Sequence, residues 1–391
     1  MDANATTPLL PEVFEAMRPF WMEHYGNASS IHQQGQQARG AVEQARTAVA
    51  RFLHCLNSEI VFTSGGTESD NLALFGVLSN ETEPAHLITT TIEHHAVLNA
   101  AESLEKNKVE VTFLECTPQG LIEPAALQAA IRPNTKLVSI MFANNETGVI
   151  QPIAELAAIA HAAGALFHTD AVQASGKLPL DLSADGLLKH VDLLTLSGHK
   201  IYAPKGIGVL FVRRNVRLAP MLHGGTHERQ RRAGTENVAC IVGLGKALEL
   251  SSTWLASEAP GKLAALRDRF EQGILAQVED TGVNGDSAPR VSNTSNLYFN
   301  HLEAEALVIA LDLKGLSVSG GSACQSGAAE PSHVLTAMGL SPGRARASVR
   351  FSLSRLTTDE EIDEALKIIP TAVARLRELS PTWSRRESVA V

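Results

Sequence analysis

Cysteine is scarce in this chain of 391 residues: there are four, at positions 55, 116, 240 and 324, with no Cys-x-x-Cys pair and no metal-ligand spacing. A disulfide framework and a zinc module are therefore not expected to organise the fold. No metal site is expected, and a reducing, cytoplasmic setting follows by default. Positive charge is also in short supply. The 33 Lys and Arg against 42 Asp and Glu leave a net charge of −9, which argues against nucleic acid or an anionic membrane surface as the main partner. No apolar run approaches the ~20 residues a membrane span needs. The opening MDANATTPLLPEVF has no basic stretch ahead of an apolar one, so no signal peptide is expected. Internal repeats and low-complexity segments are lacking as well. At 44% hydrophobic the chain has ample material for a large core, and it is too long for a single small domain.

What is present is a repeated grammar of apolar run, polar cluster and helix. Residues Glu59 to Thr63 lead into Ser64-Gly65-Gly66-Thr67-Glu68-Ser69, with a helix expected from about Asp70. His86 to Thr91 ends at Glu93-His94-His95, and Lys136 to Ala143 ends at Asn144-Asn145-Glu146-Thr147-Gly148. Ala165 to Thr169 ends at Asp170-Ala171-Val172-Gln173. Val191 to Leu196 ends at Ser197-Gly198-His199-Lys200, and a further strand-like run covers Val209 to Val212. Helical patterns cover 11–20, about 32–53 and 152–163. Alternation of this kind predicts an α/β fold with a mostly parallel sheet and helices on both faces. Ligands then bind beyond the carboxyl ends of the strands, where every one of these polar clusters falls.

After about Gly245 the texture changes. A helix over 262–277 precedes strand-like runs at Thr294–Phe299 and Leu316–Val318, then a Gly/Ser/Ala loop at Ser319–Ala329. A strand at Ala347–Leu353, a helix from about Asp359 to Leu379 and a loose tail from Ser384 complete the chain. The expected division is a large domain over 14–255. A smaller α+β domain over 256–391 is joined by residues 1–13.

The strand-end residues suggest one chemistry. Most lysines are surface solubilisers, but Lys200 sits on a short loop between apolar segments. Desolvation there lowers an amine's pKa and suits a nucleophile or a cofactor-binding lysine. The Ser-Gly-Gly-Thr turn offers backbone N–H groups and a positive helix end to a phosphate. Many strand–helix turns contain Gly-Gly, and this spacing is neither GxGxxG nor GxxxxGK(S/T), so a dinucleotide or Walker site is not supported. Asp170 reads as a turn former or as a carboxylate for a protonated ring nitrogen. His94 reads as a half-buried histidine or a group facing the pocket, and Asn145 and Gln173 read as neutral donors suited to a phenolate oxygen or as turn residues. Together these five features describe a pyridoxal 5'-phosphate site.

Cys55, Cys116 and Cys240 have apolar neighbours and read as small buried hydrophobes. Cys324, in Gly321-Ser322-Ala323-Cys324-Gln325-Ser326-Gly327, lacks the neighbours to pack a thiol and reads as an incidental exposed cysteine or, given a pyridoxal-phosphate site elsewhere, as a nucleophilic sulfur carrier. Arg350 is either an outward arginine or a clamp on a substrate carboxylate. Arg229, Arg231 and Arg232 form either a solvated loop or a phosphate or subunit contact.

The set NATTP (4–8), YGNASSIH (25–32), TSGGTESDN (63–71), EHHAV (93–97), ANNETG (143–148), HTDAVQASGK (168–177), SGHK (197–200), RRAGTEN (231–237), GSACQSG (321–327) and RFSLSR (350–355) resembles the cysteine desulfurases, in order and over nearly the whole chain. The cysteine-bearing loop is similar to the long-loop class, and RRAGTEN with RLRELSPTW looks most like the NifS-like branch. The resemblance implies a fold-type-I enzyme with a mostly parallel seven-stranded sheet in the large domain and a smaller α+β C-terminal domain. It implies pyridoxal 5'-phosphate as cofactor and L-cysteine as substrate. The products would be L-alanine and a persulfide on Cys324, destined for an iron–sulfur scaffold or other sulfur-acceptor protein. A selenocysteine lyase or an aminotransferase of the same fold is the alternative. It further implies that Lys200 holds the cofactor covalently and that Gly66, Thr67, Ser197 and His199 hold its phosphate. Thr235 would reach that phosphate from the other subunit of a homodimer. Asp170 would pair with the ring nitrogen, Gln173 and Asn145 would contact the ring hydroxyl, and His94 would stack on the ring and assist proton transfer. Asn145 and Arg350 would hold the substrate carboxylate. Thr226 and Gln230 depart from the family by standing where glycines are common, and Gly320 replaces a frequent serine.

Overall fold

The computed structural model describes residues 1–79, 83–320, 331–381 and 383. Its larger sheet has seven strands: β1 (Ile60–Thr63), β2 (His86–Thr90), β3 (Glu110–Leu114), β4 (Thr135–Ser139), β5 (Leu166–Asp170), β6 (Leu193–Ser197) and β7 (Gly208–Val212). Their spatial order is β1-β7-β6-β5-β4-β2-β3. β2 to β6 pair in parallel. β7 runs antiparallel to both β6 and β1. The strand alternation alone left this reversal open. Its cause is the short link after β6, because a parallel crossover needs about a dozen residues or more. The link turns back at Gly206, whose φ of 84° favours a residue without Cβ.

Strands buried on both faces read as continuous apolar runs, and every residue of β1, β2, β6 and β7 is buried. One face packs on α3 (Gly66–Leu78) and α4 (His95–Lys106), through Leu72, Leu74, Val97 and Leu104 against Leu87, Leu137, Leu193 and Leu210. The other face carries α2 (Gln33–Leu53), α6 (Ile153–Ala162) and α7 (Val238–Leu255), with α1 (Pro11–Met22) and α5 (Pro124–Ala130) alongside. α2 and α7 approach closely at Gly245, where an added Cβ would lie 2.9 Å from the Ala45 Cα. Among the described residues α7 is long and apolar enough to cross a membrane by length and composition. Its Ile241, Leu244, Ala247 and Leu248 are instead buried in the core.

A second, antiparallel sheet has the order β10-β11-β9-β8, from β8 (Thr281–Val283), β9 (Thr294–Phe299), β10 (Ser319–Gly320) and β11 (Ser348–Ser352). It packs on α8 (Ala259–Gln277), α9 (Ala304–Asp312) and α12 (Asp359–Glu378) around Phe270, Phe299 and Phe351. The short helices α10 (His333–Ala337) and α11 (Pro342–Arg346) lead into β11. The predicted strand over 316–318 is displaced onto Ser319–Gly320. The predicted helix from Asp70 begins one turn earlier, at Gly66. Of the loop expected at Ser319–Ala329, Ser319 and Gly320 form β10, and its remainder and the tail from Ser384 lie outside the described residues.

The N-terminal segment ties the two sheets together. Asp2 bridges Ser352 at β11, and the Ala3 amide donates to the Ser352 carbonyl at 3.0 Å. Five residues on, the Thr7 amide donates to the His199 carbonyl at 2.9 Å, beside the end of β6.

Candidate active site

The carboxyl ends of β1, β4, β5 and β6 open onto a cavity of about 340 Å³. Ten of the residues singled out in the sequence line it: Gly66, Thr67, His94, Asn145, Asp170, Gln173, Ser197, His199, Lys200 and Arg350. Thr235 is not among its lining residues in this single chain. Cys324 lies outside the described residues.

Each side chain arrives by a local device. Gly66 and Thr67 form the first turn of α3, whose leading N–H groups have no acceptor within the helix. An added Cβ on Gly66 would sit 3.0 Å from Val172 Cγ2 and 3.5 Å from Ser197 Cβ, so this wall of the cavity is backbone by necessity. His94 caps α4, accepting the Ala96 amide at Nδ1 over 3.1 Å. For a neutral ring that bond puts the proton on Nε2. Asp170 ends β5, and its Oδ1 accepts the Val172 amide at 2.8 Å. Lys200 closes the single helical turn after β6 and donates to the carbonyl oxygens of Asn4 at 2.6 Å and Ala5 at 2.7 Å.

Burial sets the charge states. The His94 imidazole is pushed down to about 4, first by burial and then by Lys200, His95 and His333. His199 falls to about 4 through burial and the cations Lys200 and Lys205. Both rings are therefore neutral at pH 7. Asp170 is raised to about 6 by burial, against the Val172 N–H and Lys200, which pull it back down. Its neighbour Asp70 is raised well above the ordinary aspartate value by burial and by Asp170 itself. Asp70 stands 3.6 Å from His168, which burial keeps neutral. The cavity thus has a donor-rich end at α3, Ser197 and His199, and a carboxylate at the end of β5. A cation, Lys200, enters from the turn after β6, and a second, Arg350, enters from β11.

Sequence reasoning gave no role to several residues that shape the site. Asn4 is only 2% exposed and bonds to Asn145, Thr294, Gln173, Lys177 and Lys200. It falls in the quoted NATTP stretch, but nothing local ties that stretch to a strand end. His333 lines the cavity from α10, with its ring 4.8 Å from that of His95 and Nε2 2.9 Å from the Glu93 carbonyl. Glu93 and Glu146 are fully buried and raised to about 8 and about 7 by desolvation. The other cysteines are not thiolates. Burial pushes Cys55 up to about 12, Cys116 up to about 11, and Cys240 upward too. Cys240 is buried, as expected of a small hydrophobe, while Cys55 and Cys116 are half-buried. Of the basic cluster, Arg232 pairs with Glu68 at 2.8 Å, and Arg229 and Arg231 donate to the carbonyls of Asn57 and Ser58.

A lysine held beyond the central strands of a mostly parallel sheet, facing a buried carboxylate across a cavity, defines a class of enzymes. The aminotransferase class-V family matches residues 1–365, and the chain belongs to that family. Within it the chain falls among the cysteine desulfurases. It is 50% identical over 381 residues to "Cysteine desulfurase 2" of Trichormus variabilis, covering 97% of this chain and 94% of the relative. A solved structure described as a NifS-like protein has a TM-score of 0.88 at 35% identity, covering 96% of this chain and 99% of that one. Another, described as SspA in complex with cysteine, has a TM-score of 0.81 at 39% identity, covering 91% and 99%. The seven-stranded, fold-type-I architecture expected from the sequence is borne out.

Proposed function

We propose that this chain is a cysteine desulfurase that uses pyridoxal 5'-phosphate to convert L-cysteine to L-alanine, leaving a persulfide on Cys324. The observation that carries the reading is Lys200 at the cavity wall beyond β6, with Asp170 on the adjacent strand end and Arg350 facing from β11. The names of the relatives favour desulfuration over the selenocysteine lyase or aminotransferase alternatives.

The residues fit the cofactor. The α3 N-terminus, Thr67, Ser197 and His199 supply uncharged donors for a phosphate, and the backbone-walled floor at Gly66 lets the anion reach the helix end. Asp170 offers a carboxylate oriented by the Val172 amide to a ring nitrogen. Gln173 and Asn145 serve the ring hydroxyl. When bound, pyridoxal 5'-phosphate supplies an electron sink that lets the C–H bond beside the substrate nitrogen break heterolytically. Lys200 would hold the cofactor through Nζ, and its amine is the base placed to take the α-proton. Asp170 would hold the ring nitrogen in its protonated form, in an ion pair that burial strengthens. His94, neutral with its proton on Nε2, would lie against the ring and assist proton transfer. Arg350 and Asn145 hold the substrate carboxylate.

The Cys324 sulfur attacks the sulfur of the bound cysteine. The C–S bond breaks, an S–S bond forms, and the carbon takes a proton to become the alanine methyl group. One thiol pair is oxidised to the persulfide while the carbon is reduced, so no external oxidant enters. The persulfide passes to an iron–sulfur scaffold or another sulfur-acceptor protein. The working unit is a cytoplasmic homodimer in which Thr235 reaches the partner's phosphate. Two domains, 14–255 and 256–391 with 1–13, carry the cofactor and the Cys324 loop respectively. The separate core around the smaller sheet supports that division, while Val291, Val334, Leu335, Met338 and Ala345 pack into the core of the larger one.

One experiment tests the reading. Purified protein should have a visible absorption band that changes on adding L-cysteine, with alanine released without a keto-acid co-substrate. Cys324→Ala should keep the band and its response to cysteine while persulfide turnover is lost. A colourless protein, or normal turnover by Cys324→Ala, would sink it.

A further inference from the structure

Lys177 is a second lysine next to the first, and the mechanism above does not use it. Its Nζ donates to Gln173 Oε1 at 2.7 Å and to Asn4 Oδ1 at 3.1 Å. Gln173 in turn donates through Nε2 to the Asn4 carbonyl at 3.1 Å, and the same carbonyl accepts Lys200 at 2.6 Å. The four residues form one connected set reaching from Lys177 to the cavity.

Asn4 cannot turn within that set. Its amide nitrogen Nδ2 donates to the Asn145 carbonyl and Thr294 Oγ1, its Oδ1 also accepts Asn293, and its backbone N–H is bonded to Ser352 Oγ. The orientation of Gln173 is equally determined. An ammonium has only donors and a carbonyl oxygen only accepts, so Oε1 must face Lys177 and Nε2 must face Asn4. Nε2 then keeps a second hydrogen for the cavity that Gln173 lines. A reversed amide would set N–H against ammonium and oxygen against the Asn4 carbonyl.

We propose that Lys177 is a positioning residue for the cofactor. It locks the Gln173 amide with its N–H end toward the cofactor's phenolic oxygen and ties that amide, through Asn4, to Lys200. The inference rests on the proposed function, since it presupposes pyridoxal 5'-phosphate in the cavity. The surroundings give the lysine no other evident purpose. Burial first, then the cations Lys200 and Arg350, push its ammonium down to about 7. Tyr202 and Arg355 line the same small space behind Lys200. Charged or neutral, the amine donates to the same two acceptors, Gln173 Oε1 and Asn4 Oδ1.

The test compares holoenzyme of the wild type, Lys177→Met, Lys177→Arg, Gln173→Ala and the Lys177→Met/Gln173→Ala pair. The visible band is titrated against pH, and cofactor retention is measured by dialysis. Losing the N–H donor and the neighbouring cation both favour the protonated form of the lysine-bound cofactor. Lys177→Met is therefore expected to move the band's midpoint upward by about 0.5–1 pH unit and to weaken retention about tenfold, the loss of one charge-assisted hydrogen bond. Lys177→Arg restores most of both, and in the Gln173→Ala background Lys177→Met adds only the smaller shift owed to the lost charge. A purely structural lysine would lower the melting temperature and leave the midpoint in place. Should Lys177→Met not fold, Lys177→Leu, which likewise has no donor, is titrated in its place, with the same upward shift expected. A wild-type band that the substitution leaves unmoved, or a shift equally large without Gln173, overturns the inference alone. A wild type with no visible band overturns the cofactor reading and this inference with it.

Discussion

Arg350 donates through Nη2 to Asp2 Oδ1 at 3.0 Å and through Nη1 to the Asn145 carbonyl at 3.1 Å, while its buried Nε has no hydrogen-bond partner among the described residues. The same Asp2 oxygen accepts Ser319 Oγ at 2.9 Å, so the start of β10 and the guanidinium share one carboxylate. Asp2, which is not among the residues lining the cavity, thereby aims the guanidinium proposed to hold the substrate carboxylate. Asp2→Ala should raise KM for L-cysteine about 3- to 10-fold with kcat within about twofold, since ground-state and transition-state binding of the carboxylate suffer alike. Arg350→Ala removes the clamp itself and should lower kcat/KM about 100- to 1,000-fold. Steady-state kinetics of both variants check this. An Asp2→Ala enzyme with unchanged KM would refute the positioning role.

The neutral state of His94 leads to a second expectation. With its ring pushed down to about 4, it changes charge only below the range where such an enzyme is assayed. Inflections in the pH profile of kcat/KM between about 5 and 9 must then belong to other groups. His94→Ala should lower kcat by about 100-fold, the usual size of a lost proton-transfer group, and leave those inflections where they are. Disappearance of a near-neutral inflection in the variant would show that the ring titrates there after all.

Glu93 makes stability depend on pH. Burial raises it to about 8 from an ordinary glutamate value, although Thr90 Oγ1 and the Met141 amide both donate to Oε1 at 2.8 and 2.9 Å. Between about 4.5 and 8 the folded chain holds this proton and the unfolded chain does not. The unfolded state therefore binds fewer protons, and stability falls as pH rises through that window. Glu93→Gln mimics the protonated form and has no charge to bury. The variant should match the wild type near pH 5 and exceed it by a few kcal/mol at pH 9 in denaturant unfolding. Parallel curves across that range would contradict the buried, protonated carboxyl.

Much of the site was legible because each strand–helix unit writes its own signature, an apolar run broken by polar residues at the strand end. Asp170, Lys200 and Gly66 were found in that way. Asn4 was not, because its place depends on bonds to Thr294, Asn293 and Ser352, which no local periodicity encodes. Lys177 was hidden for a related reason: it lies past the strand end, in a turn where a lysine ordinarily faces solvent. β3 escaped notice as a half-exposed edge strand with Glu110 and Thr112 interrupting the apolar pattern. Residue alternation also could not reveal that β7 reverses. That information was in the shortness of the link before it.

Gln230, one of the departures from the family pattern, closes a run of three residues at left-handed φ: Glu228 at 46°, Arg229 at 56° and Gln230 at 66°. Glu228 is held there by a buried pairing with Arg46, at 2.9 and 2.7 Å, and by the Phe62 amide at 3.0 Å. Gln230 is exposed and has no comparable anchor among the described residues, so its backbone strain of about 1 kcal/mol or more is borne by the fold around it. A glycine removes the Cβ clash at this position and gives back part of that gain as chain entropy. Gln230→Gly should therefore raise the melting temperature slightly, by about 1 °C, and Gln230→Val, with a branched Cβ, should lower it by more. Differential scanning calorimetry of the pair decides the matter. If valine is tolerated as well as glycine, Gln230 does not occupy the left-handed region in solution.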